Sequence, residues 1–146
     1  MTQMADSLDP HRHTLDLPCH PEHAFAVFTY GLGDWWDPAY TPDPDTFTSI
    51  VVEPVVGGGV VLVHGDEAYP FGEVTVWEPG ARFSQSFWLA MDLAHPSALD
   101  VRFDASNGGC RVRFEHGGWT ADNAASRDKF GGWPGLLARY ASAAGE

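Results

Sequence analysis

ALDVRFDASNGGCRVRFEH, residues 98–116, alternates apolar and polar side chains on both sides of Asn107-Gly108. Successive side chains on a strand point to opposite faces, so Leu99, Val101 and Phe103 share one face and Asp100, Arg102 and Asp104 the other. On the second limb Val112, Phe114 and His116 take the apolar face, while Arg111, Arg113 and Glu115 point to water. Asn-Gly is a strong hairpin signal because both residues tolerate positive φ. The segment predicts two antiparallel strands with one face packed and one face wet.

The same period of two runs upstream. It predicts strands over Phe47 to Glu53, Gly59 to His64, Phe71 to Trp77 and Arg82 to Leu89. Glu78-Pro79-Gly80-Ala81 has Pro and Gly at the centre of a type II turn, and short loops imply antiparallel neighbours. Gly72, Val74 and Val76 are expected to face inward, as are Phe83, Gln85 and Phe87 on the next strand. Earlier still, His11 to Cys19 reads as a first strand. A helix opens at Pro21 and runs through Tyr30, with Ala24, Phe25, Val27 and Phe28 at helical spacing. Gly31 and Gly33 stop it, Asp34 to Pro38 reads as a second short turn, and Asp37 to Asp45 as a loop. Downstream of Thr120 the period returns to helical. Phe130, Trp133, Leu137 and Tyr140 fall on one side, and Pro134 predicts a kink or break. The layout is α+β: one strand, two short helices, six strands and a long C-terminal helix. A sheet of seven antiparallel strands then carries the long helix on one face and water on the other.

At 146 residues, 44% apolar and 19% charged, the chain suits one domain with a real core, expected over 11–143 behind a flexible N-terminus of residues 1–10. No apolar run approaches the roughly 20 residues of a membrane span, and Met1 to Pro10 has no signal-segment pattern, so a cytoplasmic protein without membrane insertion is expected. The formal net charge is −12. Residues 1 to 80 hold 13 acids and one base, Arg12, whereas residues 81 to 146 hold seven of each. An acidic half repels phosphate backbones, which argues against nucleic acid. It reads either as a solvated face or as a docking face for a basic partner.

A set of motifs in order carries a resemblance: Pro21-Glu22-His23-Ala24-Phe25, Trp35-Trp36, Val56-Gly57-Gly58, Gly72-Glu73-Val74 leading to Trp77-Glu78-Pro79, Val112 to Gly117, and Gly132-Trp133. The chain resembles homologues of the C-terminal domain of the activator of the heat-shock-protein-ninety ATPase. These lie within the START-like (SRPBCC) superfamily of lipid-transfer domains, pollen allergens and aromatic polyketide cyclases. The resemblance implies the helix-grip fold, a curved sheet wrapped on the C-terminal helix with an apolar cavity between them. It does not fix function, because one scaffold hosts carriers, co-chaperones and enzymes. The chain departs from the eukaryotic co-chaperones in showing no separate N-terminal domain and in offering a single lysine, Lys129, to an acidic chaperone. If the first and last strands pair as in the grip fold, Cys19 comes near Cys110, within reach of a disulfide.

On an inward face otherwise made of Val, Leu and Phe, the polar groups are Gln85 and His116. A pocket orients an apolar ligand with a few such groups, which makes these two the candidate contacts, about 10 Å apart across two strand spacings. The alternative is that each bonds a backbone group or a water in an ordinary core. The expected cavity lining is Trp36, Val74, Val76, Gln85, Phe87, Val101, Phe103, Phe114, His116, Phe130, Trp133 and Leu137. Burying about 200 Å² of an apolar ligand gains roughly 5 kcal/mol before association costs, which limits affinity to micromolar at best unless Gln85 and His116 contribute. His116 is also the one inward candidate for general-base chemistry of the cyclase or dehydratase kind. The histidine spacings require no metal site, no nucleophile elbow is present, and Gly57-Gly58-Gly59 lacks a phosphate loop's Lys-Ser/Thr. The expected role is therefore binding of a small hydrophobic or aromatic molecule without cofactor. The alternatives are an enzyme using the same cavity and a co-chaperone-like interaction module; a protein partner or homodimer is left open.

Overall fold

The computed structural model describes residues 8–89, 91–92, 94–127 and 130–145. Residues 1–7 of the expected flexible N-terminus, and Lys129, lie outside them. The elements run β1 (His11–Leu17), α1 (Pro21–Thr29), α2 (Leu32–Trp35), a 3₁₀ turn (Pro38–Tyr40), β2 (Phe47–Val52), β3 (Gly59–His64), β4 (Glu67–Glu78), β5 (Arg82–Phe87), β6 (Ser97–Ser106), β7 (Gly109–Gly117), α3 (Ala124–Arg127) and α4 (Trp133–Ala144). The strands form one antiparallel sheet of seven, ordered β1-β7-β6-β5-β4-β3-β2, the helix-grip arrangement.

The 98–116 segment folds as its alternation dictates. Leu99, Val101, Phe103, Val112, Phe114 and His116 are buried. The hairpin turns at Asn107 and Gly108, with φ of 50° and 81°, and Gly80 sits at φ 78° in the β4–β5 turn, where Ala81 N–H donates to Glu78 O over 2.9 Å. The outer face carries ion pairs instead of a second layer: Arg82–Asp100 at 2.9 Å, Arg12–Glu115 at 3.0 Å and Arg111–Asp16 at 2.9 Å. Burial pushes the Asp100 carboxyl up, but hydrogen bonds from Arg82 and Ser84 and the charges of Arg82 and Arg102 outweigh it, so the pKa falls below its ordinary value.

Val76 does not face the core. The β4–β5 register shifts between Val74 and Val76, so that Val74 opposes Gln85 but Val76 opposes Ser84 and Trp77 opposes Phe83. This bulge inverts the alternation beyond Val74. Trp77 therefore packs inward, its ring 5.0 Å from Phe25, while Val76 stays half-buried outside the core cluster. Phe71 was expected to start β4, but the strand begins at Glu67, because Gly65-Asp66 closes a tight hairpin with β3.

Gly72 keeps β4 bare beneath the Gln85 amide. A Cβ there would meet Gln85 Nε2 and come within 2.5 Å of the backbone oxygen of Ser86. Because a backbone atom cannot step aside as a side-chain end does, Gly72→Ala is expected to destabilise the protein by about 1–3 kcal/mol. A thermal or urea midpoint within error of wild type would show that the β4–β5 pair accommodates the methyl.

The helices are fastened to one another by long side chains. Pro21 occupies the first turn of α1, which buries Ala24, Phe25, Phe28 and Thr29. Tyr140 of α4 donates its hydroxyl to Ala24 O over 2.7 Å, and Arg139 caps the end of α2 by donating from Nε to Trp35 O at 2.7 Å. The C-terminal helix is shorter than expected. Pro134 lies in the first turn of α4 instead of bending a longer helix, since its missing N–H costs nothing there. Trp133, Leu137 and Tyr140 are buried along α4, whereas Phe130 precedes it and is half-buried. Cys19 and Cys110 are free thiols, and the disulfide that the strand pairing would put within reach is not formed. Burial, with a smaller contribution from Cys19, pushes the Cys110 thiol up to about 11.

Candidate functional site

His116 lies in the centre of an aromatic box, fully buried. Its ring centroid is 4.7 Å from Phe87, 4.7 Å from Trp119, 4.9 Å from Phe130 and 5.6 Å from Trp133. Each nitrogen has a partner. Trp133 donates its indole N–H to Nδ1 over 3.0 Å, which fixes the neutral tautomer with its proton on Nε2. Nε2–H then donates to Ser97 Oγ at 2.6 Å, and Ser97 donates on to Phe87 O at 3.2 Å. Burial, with a smaller contribution from the charge of His11, holds the His116 pKa down at about 3. The imidazole is therefore neutral, and its one lone pair is covered by Trp133.

Gln85 sits in line with His116 across the sheet, since Leu99 opposes both. It is 1% exposed and donates its amide to Ser86 O over 3.0 Å, so the two polar groups expected to meet a ligand are both engaged with the protein itself.

The space between sheet and α4 is mostly filled. Val74, Val101, Phe103, Phe114 and Leu137, all expected to line a cavity, pack as solid core. What remains is an apolar pocket of about 30 Å³ lined by Trp36, Tyr40, Phe87, Phe130, Gly132, Trp133 and Leu136. Four of these, Trp36, Phe87, Phe130 and Trp133, were expected from the sequence. Tyr40, Gly132 and Leu136 were missed. Leu136 stands three residues beyond Trp133, a helical spacing that marks the same face; Tyr40 lies in a segment that reads as loop and carries no such signal. Tyr40, exposed at 45%, lies against Gly132, where a Cβ would stand 2.5 Å from the Tyr40 hydroxyl oxygen.

The remaining histidines are apart from this box or at its edge. His11 donates from Nε2 to Arg127 O over 3.0 Å, and among the described residues no three His, Cys, Asp or Glu converge as metal ligands. Nor is any described helix long and apolar enough to cross a membrane.

Solved structures share this fold over nearly the whole chain. The Aha1 dimer from Colwellia psychrerythraea is 19% identical, with a TM-score of 0.68, over 93% of this chain and 96% of that one. Protein MLL2253 of Mesorhizobium loti is 19% identical, with a TM-score of 0.67, over 91% and 94%. An anthrahydroquino-gamma-pyrone synthase, Txn09, in complex with SUM, is 23% identical, with a TM-score of 0.62, over 92% and 96%. No curated protein matches the sequence. A model of the family described as Activator of Hsp90 ATPase homolog 1-like protein matches residues 18–145, and the chain belongs to that family.

Proposed function

We propose that the protein binds a small, flat hydrophobic or aromatic molecule in the pocket between the sheet and α4, entering beside Tyr40. The observation that carries this reading is the lining: three aromatic rings and Leu136 surround the space, with Tyr40 and Phe130 forming a mouth that is only partly covered. Convergent aromatic walls with little polar surface suit an apolar ligand, whose burial is the driving force. The resting pocket is too small for a ring system, so the exposed Tyr40 and half-buried Phe130 must move aside on binding. The synthase Txn09, a fold neighbour solved in complex with SUM, lends support, since it uses the same scaffold.

The acid–base alternative loses support at His116. A general base needs a free lone pair near operating pH, and here the lone pair is covered and the imidazole resists protonation.

N-phenyl-1-naphthylamine, a neutral fluorescent probe, is expected to brighten on binding with a midpoint in the micromolar to submillimolar range. Leu136→Trp crowds the pocket from its helical wall and is expected to weaken that binding at least tenfold, measured well below the variant's own melting midpoint, since overpacking there costs about 1–3 kcal/mol. Equal binding by both proteins, or none by wild type, overturns the proposal.

A further inference from the structure

The pocket is small because the protein fills the rest of it with an indole of its own. Trp133 is 2% exposed and forms one wall of the space. Its ring stands 4.5 Å from Phe114, 5.9 Å from Trp36 in a T-shaped contact and 6.3 Å from Phe87. Its N–H meets the one available lone pair of His116. These are the interactions a site for a planar aromatic ligand would offer: faces for stacking and one acceptor to read the ring edge.

Trp133 also sits where the backbone is free to turn. It is the first residue of α4, directly after Gly131-Gly132, and the helix start has no side-chain cap. Nothing lies within 4 Å of a Cβ at Gly131. Glycine pairs give the backbone wide rotational freedom, and the first turn of a helix has few intrahelical bonds to lose.

We infer that the ligand of this pocket is a planar aromatic molecule bearing one N–H or O–H donor at its edge, an indole or a phenol, which takes Trp133's place and donates to His116 Nδ1. This rests on the small-molecule reading above and narrows it. The polarity of the rule comes from Ser97. While Ser97 donates to Phe87 O its oxygen faces Nε2 as an acceptor, which keeps the proton on Nε2 and leaves Nδ1 to accept when Trp133 is displaced. An apolar ligand that moved Trp133 out would leave a buried acceptor unpaired, and a ligand with an acceptor at that edge would face lone pair against lone pair. The site therefore selects donors over isosteres by roughly ten- to hundredfold.

Indole and benzofuran have nearly the same shape and differ in carrying N–H or O at the same edge. Titrating each into the wild-type protein, uniformly labelled with nitrogen-15, reads affinity and both partners of the bond at once. Indole is expected to bind at least tenfold more tightly than benzofuran, to move the His116 Nδ1 resonance, and to shift the Trp133 indole N–H toward its solvent-exposed position. Equal affinities overturn this inference while leaving the cavity reading standing. Tighter indole binding with the His116 and Trp133 signals unmoved also overturns it, since the donor is then read elsewhere. If neither compound binds and N-phenyl-1-naphthylamine does not either, both readings fall. As an independent measurement, Trp133→Ala is expected to melt lower than wild type and to regain part of the loss with millimolar indole but not with benzofuran; a loss regained equally with either compound counts against the donor rule.

Discussion

Phe28→Ala is expected to lower the stability of the folded chain by about 3–5 kcal/mol, a large part of the 5–15 kcal/mol typical of a domain. Phe28 is 2% exposed and touches every layer of the fold. Its ring lies 5.3 Å from Trp35, 5.1 Å from Tyr140, 6.1 Å from Phe83, 6.2 Å from Phe103 and 6.4 Å from Phe114, so one side chain joins α1 to α2, α4 and three strands. Its removal takes away the transfer free energy of a phenyl group and leaves a cavity walled by rigid rings that cannot collapse into it. Val55→Ala, at 55% exposed, is the control and is expected to stay within about 0.5 kcal/mol of wild type. Urea unfolding of the two variants checks this. A Phe28→Ala loss below about 1.5 kcal/mol would mean that the helices can close over the gap, and that the space under α4 is softer than its packing implies.

The placement of Phe28 was legible in advance and the filling of the space under α4 was not. Helical spacing of Ala24, Phe25 and Phe28, alternation over 98–116 and the two turn signals each depend on neighbours within a few residues, and each is met in the structure. Val76 failed because a bulge adds one residue to one strand, a feature that a local period of two cannot register. Pro134 was read as an interruption because its neighbours Phe130 and Trp133 share a helical phase; its role as a helix opener depends on where the chain turns before it. The polar pair Gln85 and His116 was found by strand parity, yet parity gives only the face. Whether a buried imidazole awaits a ligand or is already satisfied turned on Ser97 and Trp133, 19 and 17 positions away and on different elements. Cavity volume is harder still, since one indole swung in or out changes it and no spacing encodes a side chain's rotation.

That satisfied imidazole sets the protein's response to acid. His116 takes up a proton in the unfolded chain with an ordinary pKa near 6.5 but refuses it in the native state until about pH 3. The unfolded state therefore binds more protons through this window, and stability is expected to fall as pH drops below 6.5, by up to about 1.4 kcal/mol per unit, and to level off near pH 3. The whole loss is on the order of 5 kcal/mol. His13, lowered by burial and by the neighbouring His11, adds to the same trend, and Asp100 adds its own loss only below the ordinary carboxylate range. A fourth effect opposes these: protonating carboxylates relieves the self-repulsion of a chain carrying −12. The comparison that isolates His116 is with His116→Gln, which keeps every other group. The variant is expected to be less stable at pH 7, because Trp133 and Ser97 lose a well-placed partner, but to have a shallower slope by close to one proton between pH 6 and pH 4. Nuclear magnetic resonance of the His116 ring gives the direct check, with no titration expected above pH 4. A midpoint near 6, with parallel stability curves for the two proteins, would mean that the aromatic box admits water and charge. The acceptor presented to a ligand would then be lost in mild acid.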